Sequence, residues 1–589
     1  MHTSTSDPRH IANGNIIPST GYVDQPYVVV LADKSWLCLL TTASGAEGEA
    51  GQHILAVRSK DQGKSWSTPV AIEPPDGPEA SWVVPLLVPS LNGGQGRVYA
   101  FYVYNGDNLR EVITDTGTTD RVDTLGYYVF RYSDDGGTTW SATRHVIPIR
   151  NFEVDKKNPY GGKVQFFWCV CKPLIHENKV FIAVHKVGGF NHFFMTRSEG
   201  CFLVSDNILT ESDPARIRFD TLPDGEIGLR AVCGPVAEEQ SVTALSDGTL
   251  FCAWRTVEGH PCQAYSRDGG HTWTSSEYFV ESPGGRRIKN PRAANFVRRF
   301  SNGNFLYWFE NHGNNDYGGR NPAWLLGGEE VDTPAGKCIT WSQPEVVLYD
   351  DPVDSRMSYP DFIEQDGAVF ITETQKAIAR SHLVPECILE SLWQGAYLSA
   401  VSRQGLIGEF KKGESAMPPL PLLGRDRGGF TIDMVIRFDE VSSAQLLFDS
   451  RDAAGRGISV TLTDRCTLKI ILCGEMQHGG IGFTGTGLAE CSWECDAGLL
   501  QEGKRHCATV TVDGGPKLIQ WIIDEKLCDG GEIRTAGWGR FHPSLSDING
   551  ASTAQIAPSL KGEMEVLRLY DRALLNNEAA SNHRGAELA

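Results

Sequence analysis

The run Tyr307-Trp308-Phe309-Glu310-Asn311-His312-Gly313-Asn314 places a carboxylate, two amides and an imidazole beside three aromatic rings. Rings that stack on a sugar face, with amides and His312 to read its hydroxyls, suit carbohydrate recognition, although the same residue types also suit a plain strand end. Lys289-Asn290-Pro291-Arg292, just upstream, adds cationic donors, and Lys172 and His185 are further polar candidates. The loop Gly45-Ala-Glu47-Gly-Glu49-Ala-Gly-Gln-His53 holds three side chains able to pass a proton to a leaving oxygen. No metal-ligand spacing and no Gly-rich phosphate loop stands out, so no cofactor is expected.

These groups lie far apart in sequence and need a scaffold that gathers them. Three segments indicate which one: Ser59-Lys-Asp61-Gln-Gly63-Lys-Ser65-Trp66, Ser133-Asp-Asp135-Gly-Gly137-Thr-Thr139-Trp140 and Ser266-Arg-Asp268-Gly-Gly270-His-Thr272-Trp273. Each reads Ser-x-Asp-x-Gly-x-(Ser/Thr)-Trp. The Ser and Asp side chains can close a tight turn on local backbone. The Gly permits positive φ, and the Trp is a hydrophobic peg. The second interval is about twice the first, and Arg197-Ser198-Glu199-Gly200 near its middle reads as a degenerate copy. Ile339-Thr340-Trp341-Ser342 reads as another, having kept only the Trp. Repeats at this period imply a propeller.

The segments resemble the Asp box of the sialidase superfamily, which implies a six-bladed β-propeller over about residues 1–408. A last blade from Tyr359 to about Val401 would close on the N-terminus. The resemblance extends to a site. In that family a Tyr nucleophile is activated by a Glu, an Asp is general acid, and three arginines clamp the substrate carboxylate. Met357-Ser358-Tyr359-Pro360-Asp361-Phe362 is similar to the family's Tyr motif and nominates Tyr359. Glu238-Glu239-Gln240-Ser241-Val242-Thr243-Ala244-Leu245-Ser246-Asp247-Gly248, followed by Phe251-Cys-Ala-Trp-Arg255, is similar to its Glu motif. It nominates Glu239 as the partner of Tyr359 and Arg255 as a clamp. Gly319-Arg320-Asn321-Pro322 holds the place of another clamp arginine, and Arg292 and His312 are added as substrate contacts. A free phenol has a pKa of ~10, so a Glu able to take its proton is what such a nucleophile needs.

Blade one departs from the family. Where its first clamp arginine belongs, this chain has Gly21-Tyr22-Val23-Asp24-Gln25-Pro26-Tyr27. Asp24 and Gln25 accept hydrogen bonds from hydroxyls, and Asp24 repels a carboxylate. Loss of a bidentate clamp argues against ordinary sialic acid as substrate. The family's acid lies in the loop before the first box serine, so the resemblance implies Glu49 as general acid, with His53 second.

The chain has 589 residues, 41% of them hydrophobic, with 63 glycines, as expected of a turn-rich β protein of more than one domain. A net charge of −19 disfavours nucleic acid and anionic membranes as partners. The fifteen cysteines show no C-x-x-C pair and are expected to be mostly buried and reduced. No hydrophobic leader precedes the first repeat, which suggests a cytoplasmic protein, or a secreted one whose leader has been removed.

Residues 409–424, rich in proline, read as a linker. Strand patterns such as Gly429-Phe-Thr-Ile-Asp-Met-Val-Ile-Arg-Phe and Leu518-Ile-Gln-Trp-Ile-Ile-Asp then predict a β-sandwich over 425–589. It resembles a concanavalin- or laminin-G-like module. The fold class is thus all-β. The function expected from the resemblance is an exo-acting glycoside hydrolase that removes a terminal sugar from an oligosaccharide or glycan. A polysaccharide lyase using His53 with Tyr359, and a carbohydrate-binding propeller without turnover, are the alternatives.

Overall fold

The computed structural model describes residues 7–191, 195–423, 428–442, 444–476 and 488–588. Six sheets of four principal strands surround a common axis. Blade I is Tyr22–Val30, Trp36–Ala43, His53–Ser59 and Val70–Glu73, from the axis outward. The innermost strands of blades II to VI are Ala80–Val88, Phe167–Trp168, Glu238–Ala244, Phe296–Arg299 and Ser358–Gln365. In blade VI the outermost strand is Asn15–Ile17, with Ile16 opposite Arg380. The first strand among the described residues thus closes the ring, as expected. The last blade ends at Leu383 rather than near Val401, because Pro385 opens the helix Glu386–Trp393.

The three repeated segments join the third and fourth strands of blades I, II and IV in one geometry. In blade I, Ser59 Oγ donates to Asp61 and accepts from Gly63 N (both 2.8 Å), while Asp61 accepts from Ser65 N at 2.8 Å. Blades II and IV repeat these bonds with Ser133, Asp135 and Thr139 and with Ser266, Asp268 and Thr272. Gly63, Gly137 and Gly270 have φ of 81°, 87° and 93°, so a side chain there would be strained. The degenerate copy in blade III lies elsewhere than expected. Arg197–Gly200 is inside the strand Met195–Ser205, and the turn is Ser205-Asp206-Asn207, in which Asn207 N donates to Ser205 Oγ. Asn207 replaces the box Asp, which hid the match. In blade V the third and fourth strands meet after Thr333, and Trp341 ends the fourth strand, packed against Phe279 and Tyr307.

Four of the six inner strands share one irregularity. Register slips by a bulge between Asp24 and Tyr27, Ser81 and Val84, Glu238 and Ser241, and Ser358 and Asp361. Within these bulges Gln25, Trp82, Glu239 and Tyr359 adopt left-handed φ of 52°, 63°, 57° and 51°. A bulged residue leaves the ladder and re-aims its side chain, here at one end of the channel. Four non-glycine residues held there represent strain that the surrounding sheet sustains.

The second domain is a sandwich of two seven-stranded sheets. The expected linker is not a bare connection. Leu406–Phe410 pairs with Gly562–Tyr570, and Gly413–Ala416 with Thr553–Ile556. Both strands therefore belong to the sandwich, and the prolines that suggested a linker begin only at Pro418. The sandwich packs on blades IV and V. Leu518, Ile522, Leu527 and Trp538 join one buried cluster with Phe251, Phe279, Tyr307 and Trp324. Every cysteine is a free thiol, and no helix among the described residues is long and apolar enough to cross a membrane.

Candidate active site

Tyr359 and Glu239, 120 residues apart in sequence, meet across the channel: the phenol donates to Glu239 Oε1 at 2.7 Å. Both are buried, at 4% and 1% exposure. Arg255 Nη2 lies 3.0 Å from the same Oε1, while Glu239 Oε2 has no hydrogen-bond partner among the described residues. Burial raises the Glu239 pKa above the ordinary carboxylate range even though Arg255 lowers it. Burial and the Glu239 charge also raise the phenol pKa. The pair therefore holds its proton on the tyrosine, with a carboxylate of enhanced basicity placed to receive it.

His185 supports Glu239 from below. Its Nδ1 accepts from Glu239 N at 3.1 Å, and its ring packs edge-on against Trp168 at 4.5 Å. Burial holds the imidazole at a pKa of about 3, so it is neutral, and its Nε2 is unpaired among the described residues. Trp168 stacks on Trp82 at 5.2 Å, which gives the floor an aromatic course.

Blades IV and V form a cationic wall. Arg255 grips Glu238 through Nε and Nη2 at 3.0 and 2.7 Å, and Arg292 Nη2 lies 2.6 Å from the other oxygen of Glu238. Glu238 thus orients both guanidiniums, and the pair holds its carboxyl down at about 2. Arg320 donates to Ser358 Oγ at 2.7 Å and to the Arg292 carbonyl at 2.8 Å, and its Nε has no hydrogen-bond partner among the described residues. Tyr317 lies over this group, its ring 5.4 Å from the Arg292 guanidinium and 5.8 Å from that of Arg320.

Blades I, II and VI form an acidic wall around one lysine. Lys376 Nζ sits 2.5 Å from Asp24, 2.9 Å from Glu47 and 4.5 Å above the Tyr359 ring. Tyr22 also donates to Asp24 at 2.9 Å, and Arg121 bridges Glu47 and Asp123 (both 2.9 Å). Burial raises the Asp24 pKa, whereas Lys376 and Arg121 overcome the burial of Glu47 and hold its pKa well below the usual range. Gln25 turns away from this wall and donates to the Cys169 carbonyl at 2.7 Å.

Tyr359, Glu239, Arg255, Arg320, Arg292 and Asp24 therefore converge, and four nominated residues do not: Gln25, which turns to the Cys169 carbonyl, Glu49, His53 and His312. Glu49 is exposed and accepts from Ala46 N within its own loop at 2.9 Å. The loop sends Glu47 inward instead, two residues earlier. His53 heads a strand of blade I, with Nδ1 on the Gly51 carbonyl at 2.9 Å and Nε2 3.5 Å from Thr20. His312 faces the sandwich, 6.1 Å from the Trp538 ring. Lys376 was not anticipated: a lysine at a hairpin tip normally reads as solvated, and this hairpin is seated over blade I by the bonds from Val23 N to Lys376 O (2.8 Å) and from Thr374 Oγ1 to Val23 O (2.6 Å). Tyr317 and Arg121 also carry no local sequence signal.

The sandwich clasps the blade V loop that carries these arginines. Trp538 Nε1 donates to the Asn311 carbonyl at 2.9 Å, and Lys289 Nζ donates to the carbonyls of Asp529, Gly531 and Arg534 at 2.9, 2.5 and 2.7 Å. Arg540 donates to the Asn321 carbonyl at 2.5 Å, next to Arg320. Among the described residues no group of three or more His, Cys, Asp or Glu is arranged to hold a metal ion.

No family model and no curated protein matches this chain. Among solved structures it is similar to the intramolecular trans-sialidase from Ruminococcus gnavus in complex with oseltamivir carboxylate. That match is 14% identical with a TM-score of 0.43, covering 64% of this chain and 98% of that one. It is also similar to the Trypanosoma rangeli sialidase in complex with 2,3-difluorosialic acid, at 11% identity and a TM-score of 0.43, covering 96% and 94%. The NanB sialidase from Streptococcus pneumoniae matches at 14% and 0.42, covering 65% and 70%. At these values the likeness adds no argument about the site. By its own sheet order, this chain is a six-bladed β-propeller joined to a β-sandwich.

Proposed function

We propose that the protein is an exo-acting glycosidase in which Tyr359 is the nucleophile and Glu239 its base. The observation that carries this is the 2.7 Å bond from a buried tyrosine to a buried carboxylate, each on a left-handed bulge. Strained, desolvated groups held in contact are characteristic of catalytic centres. As the phenol attacks the anomeric carbon, its proton moves to Glu239 and the leaving oxygen takes a proton from an acid. Water then breaks the glycosyl–tyrosine bond, giving one proton back to the acid that had protonated the leaving oxygen, and the proton on Glu239 returns to the phenol. Arg255 keeps Glu239 oriented throughout.

Asp24 is the proposed general acid, in place of Glu49 or His53. Its buried carboxyl is pushed up, and it reaches the Tyr359 ring through Lys376, whereas Glu47 is held ionised. The substrate is a terminal sugar with a polar or acidic substituent facing Arg292 and Arg320 and hydroxyls facing Asp24 and Glu47. Ordinary sialic acid fits poorly, because an acidic group stands where a first clamp arginine would sit. The lyase reading loses its expected base, since both His53 nitrogens face Gly51 and Thr20.

The test is turnover of aryl glycosides and uronate-containing oligosaccharides by wild type and Tyr359→Phe, with products read by mass. Products carrying added water, reduced at least ~10³-fold in the variant, are expected for loss of a nucleophile. Products formed by elimination, or equal turnover by both proteins, would overturn the proposal.

A further inference from the structure

The inner ends of all six blades, four of which carry the bulged residues, continue to the other end of the channel, where they line a cavity of about 900 Å³. Tyr359 stands at one end of its strand, and Asp361 to Glu364 line the cavity at the other. Glu239 and Thr243 divide their strand in the same way. The cavity therefore shares strands with the candidate active site but contains neither Tyr359 nor Glu239.

Its walls mix polar and apolar surface, with the edges of Leu86, Phe300 and Phe362 contributed by three blades. The charged groups facing it are Lys172, Arg298, Arg299, His176, Asp361 and Glu364. Most are committed. Lys172 Nζ pairs with Asp361 at 2.7 Å and donates to the Val28 carbonyl at 2.8 Å. Asp361 also accepts from Val28 N at 2.7 Å. Arg299 pairs with Glu330 at 3.3 Å, Glu364 caps Ser301, and His176 faces Glu177 at 3.8 Å. Arg298 differs: it is half-buried, and none of the described residues accepts a hydrogen bond from it. It lies near enough to Lys172 to help lower that lysine's pKa, together with the larger effect of burial.

A partly desolvated guanidinium beside an ammonium is costly without a counter-charge. In a protein of net charge −19 it is also a local reversal of the field. Lys172 uses two of its three N–H groups on described residues, and Arg298 offers all five of its own. The volume is within the range of small-molecule sites. We propose that this cavity is a second ligand site, for a small organic anion whose carboxylate or phosphate pairs with Arg298 and Lys172 and whose apolar body lies along Leu86, Phe300 and Phe362.

The test is calorimetric titration of the full chain with hexanoate and with its neutral isostere hexanamide. Hexanoate should bind saturably at one site and at least ~10-fold more tightly than hexanamide, because charge-assisted pairs carry the head group. Arg298→Gln, which breaks no ion pair, should weaken hexanoate binding at least ~10-fold, and Arg298→Lys should recover part of it. Tyr359→Phe, at the other end of the channel, should bind hexanoate like wild type. Absence of saturable binding, equal affinity for the amide, or no effect of Arg298→Gln overturns the proposal. Loss of binding in Tyr359→Phe also overturns it, since the anion would then occupy the upper site.

Discussion

At the scale of single residues, the site is a set of charges whose protonation states differ because their surroundings differ. Asp24 and Glu47 share Lys376, yet burial pushes the first up while Lys376 and Arg121 hold the second down. If Asp24 is the proton donor, Asp24→Asn should impair aryl glycosides with poor leaving groups by ~10²-fold or more and leave those with very acidic phenols nearly unaffected. Glu49→Gln should change neither. A leaving-group plot with the same slope for Asp24→Asn and wild type would remove Asp24 from that role. His185 gives a second prediction. Its folded pKa is about 3, against ~6.5 for a free imidazole. Between these values the unfolded chain binds a proton that the folded chain does not, so stability falls as pH drops from ~6.5 toward 3. Wild type should therefore lose stability on acidification more steeply than His185→Gln. Parallel denaturation profiles for the two proteins over that window would refute the assignment.

At the scale of elements, the bulges explain how ordinary inner strands deliver reactive groups to one end of the channel. Both Glu238-Glu239 and Ser358-Tyr359-Pro360 sit where the ladder slips, so the side chain that would continue the alternation turns into the channel. The clasp between the sandwich and the blade V loop acts at this level as well. Trp538→Phe keeps the aromatic packing on Trp324 but removes the Nε1–H bond to Asn311. It should cost about 1 kcal/mol of stability and raise KM severalfold with kcat little changed, because the loop carries Arg320 and Tyr317 rather than the nucleophile. Trp538→Ala should cost about 3–5 kcal/mol. An unaltered KM in Trp538→Phe would make the clasp purely structural.

At the scale of the whole molecule, propeller and sandwich share a buried interface rather than a tether. Arg9 pairs with Asp513 at 2.7 Å, and Glu345 of blade V accepts from Asn576 N at 3.0 Å and Asn577 N at 2.9 Å. With Trp538, Leu518 and Ile522 in the core of blades IV and V, neither unit can unfold without exposing the other's apolar surface. Calorimetry should show one cooperative transition, with the sandwich melting together with the ring. Two separated transitions would contradict that coupling.

What was legible in the sequence is what short segments determine alone. The three boxes close through bonds within eight residues, so their pattern specifies the turn wherever it occurs. Tyr359, Glu239, Arg255 and Arg320 are nominated by the resemblance of the short segments around them to a family's motifs, which lie within single stretches of sequence. The blade III turn was misplaced because Asn207 does the work of an Asp. The choice of Glu47 over Glu49, the arrival of Lys376, the cover of Tyr317 and the turning of His312 toward Trp538 depend on loops from different blades and a second domain meeting. Nothing within one segment encodes such a meeting: it follows from ring closure and domain packing, which set distances between residues hundreds of positions apart. The unpaired Arg298 at the far mouth is of that kind, since only the closed ring shows that no carboxylate among the described residues comes to meet it.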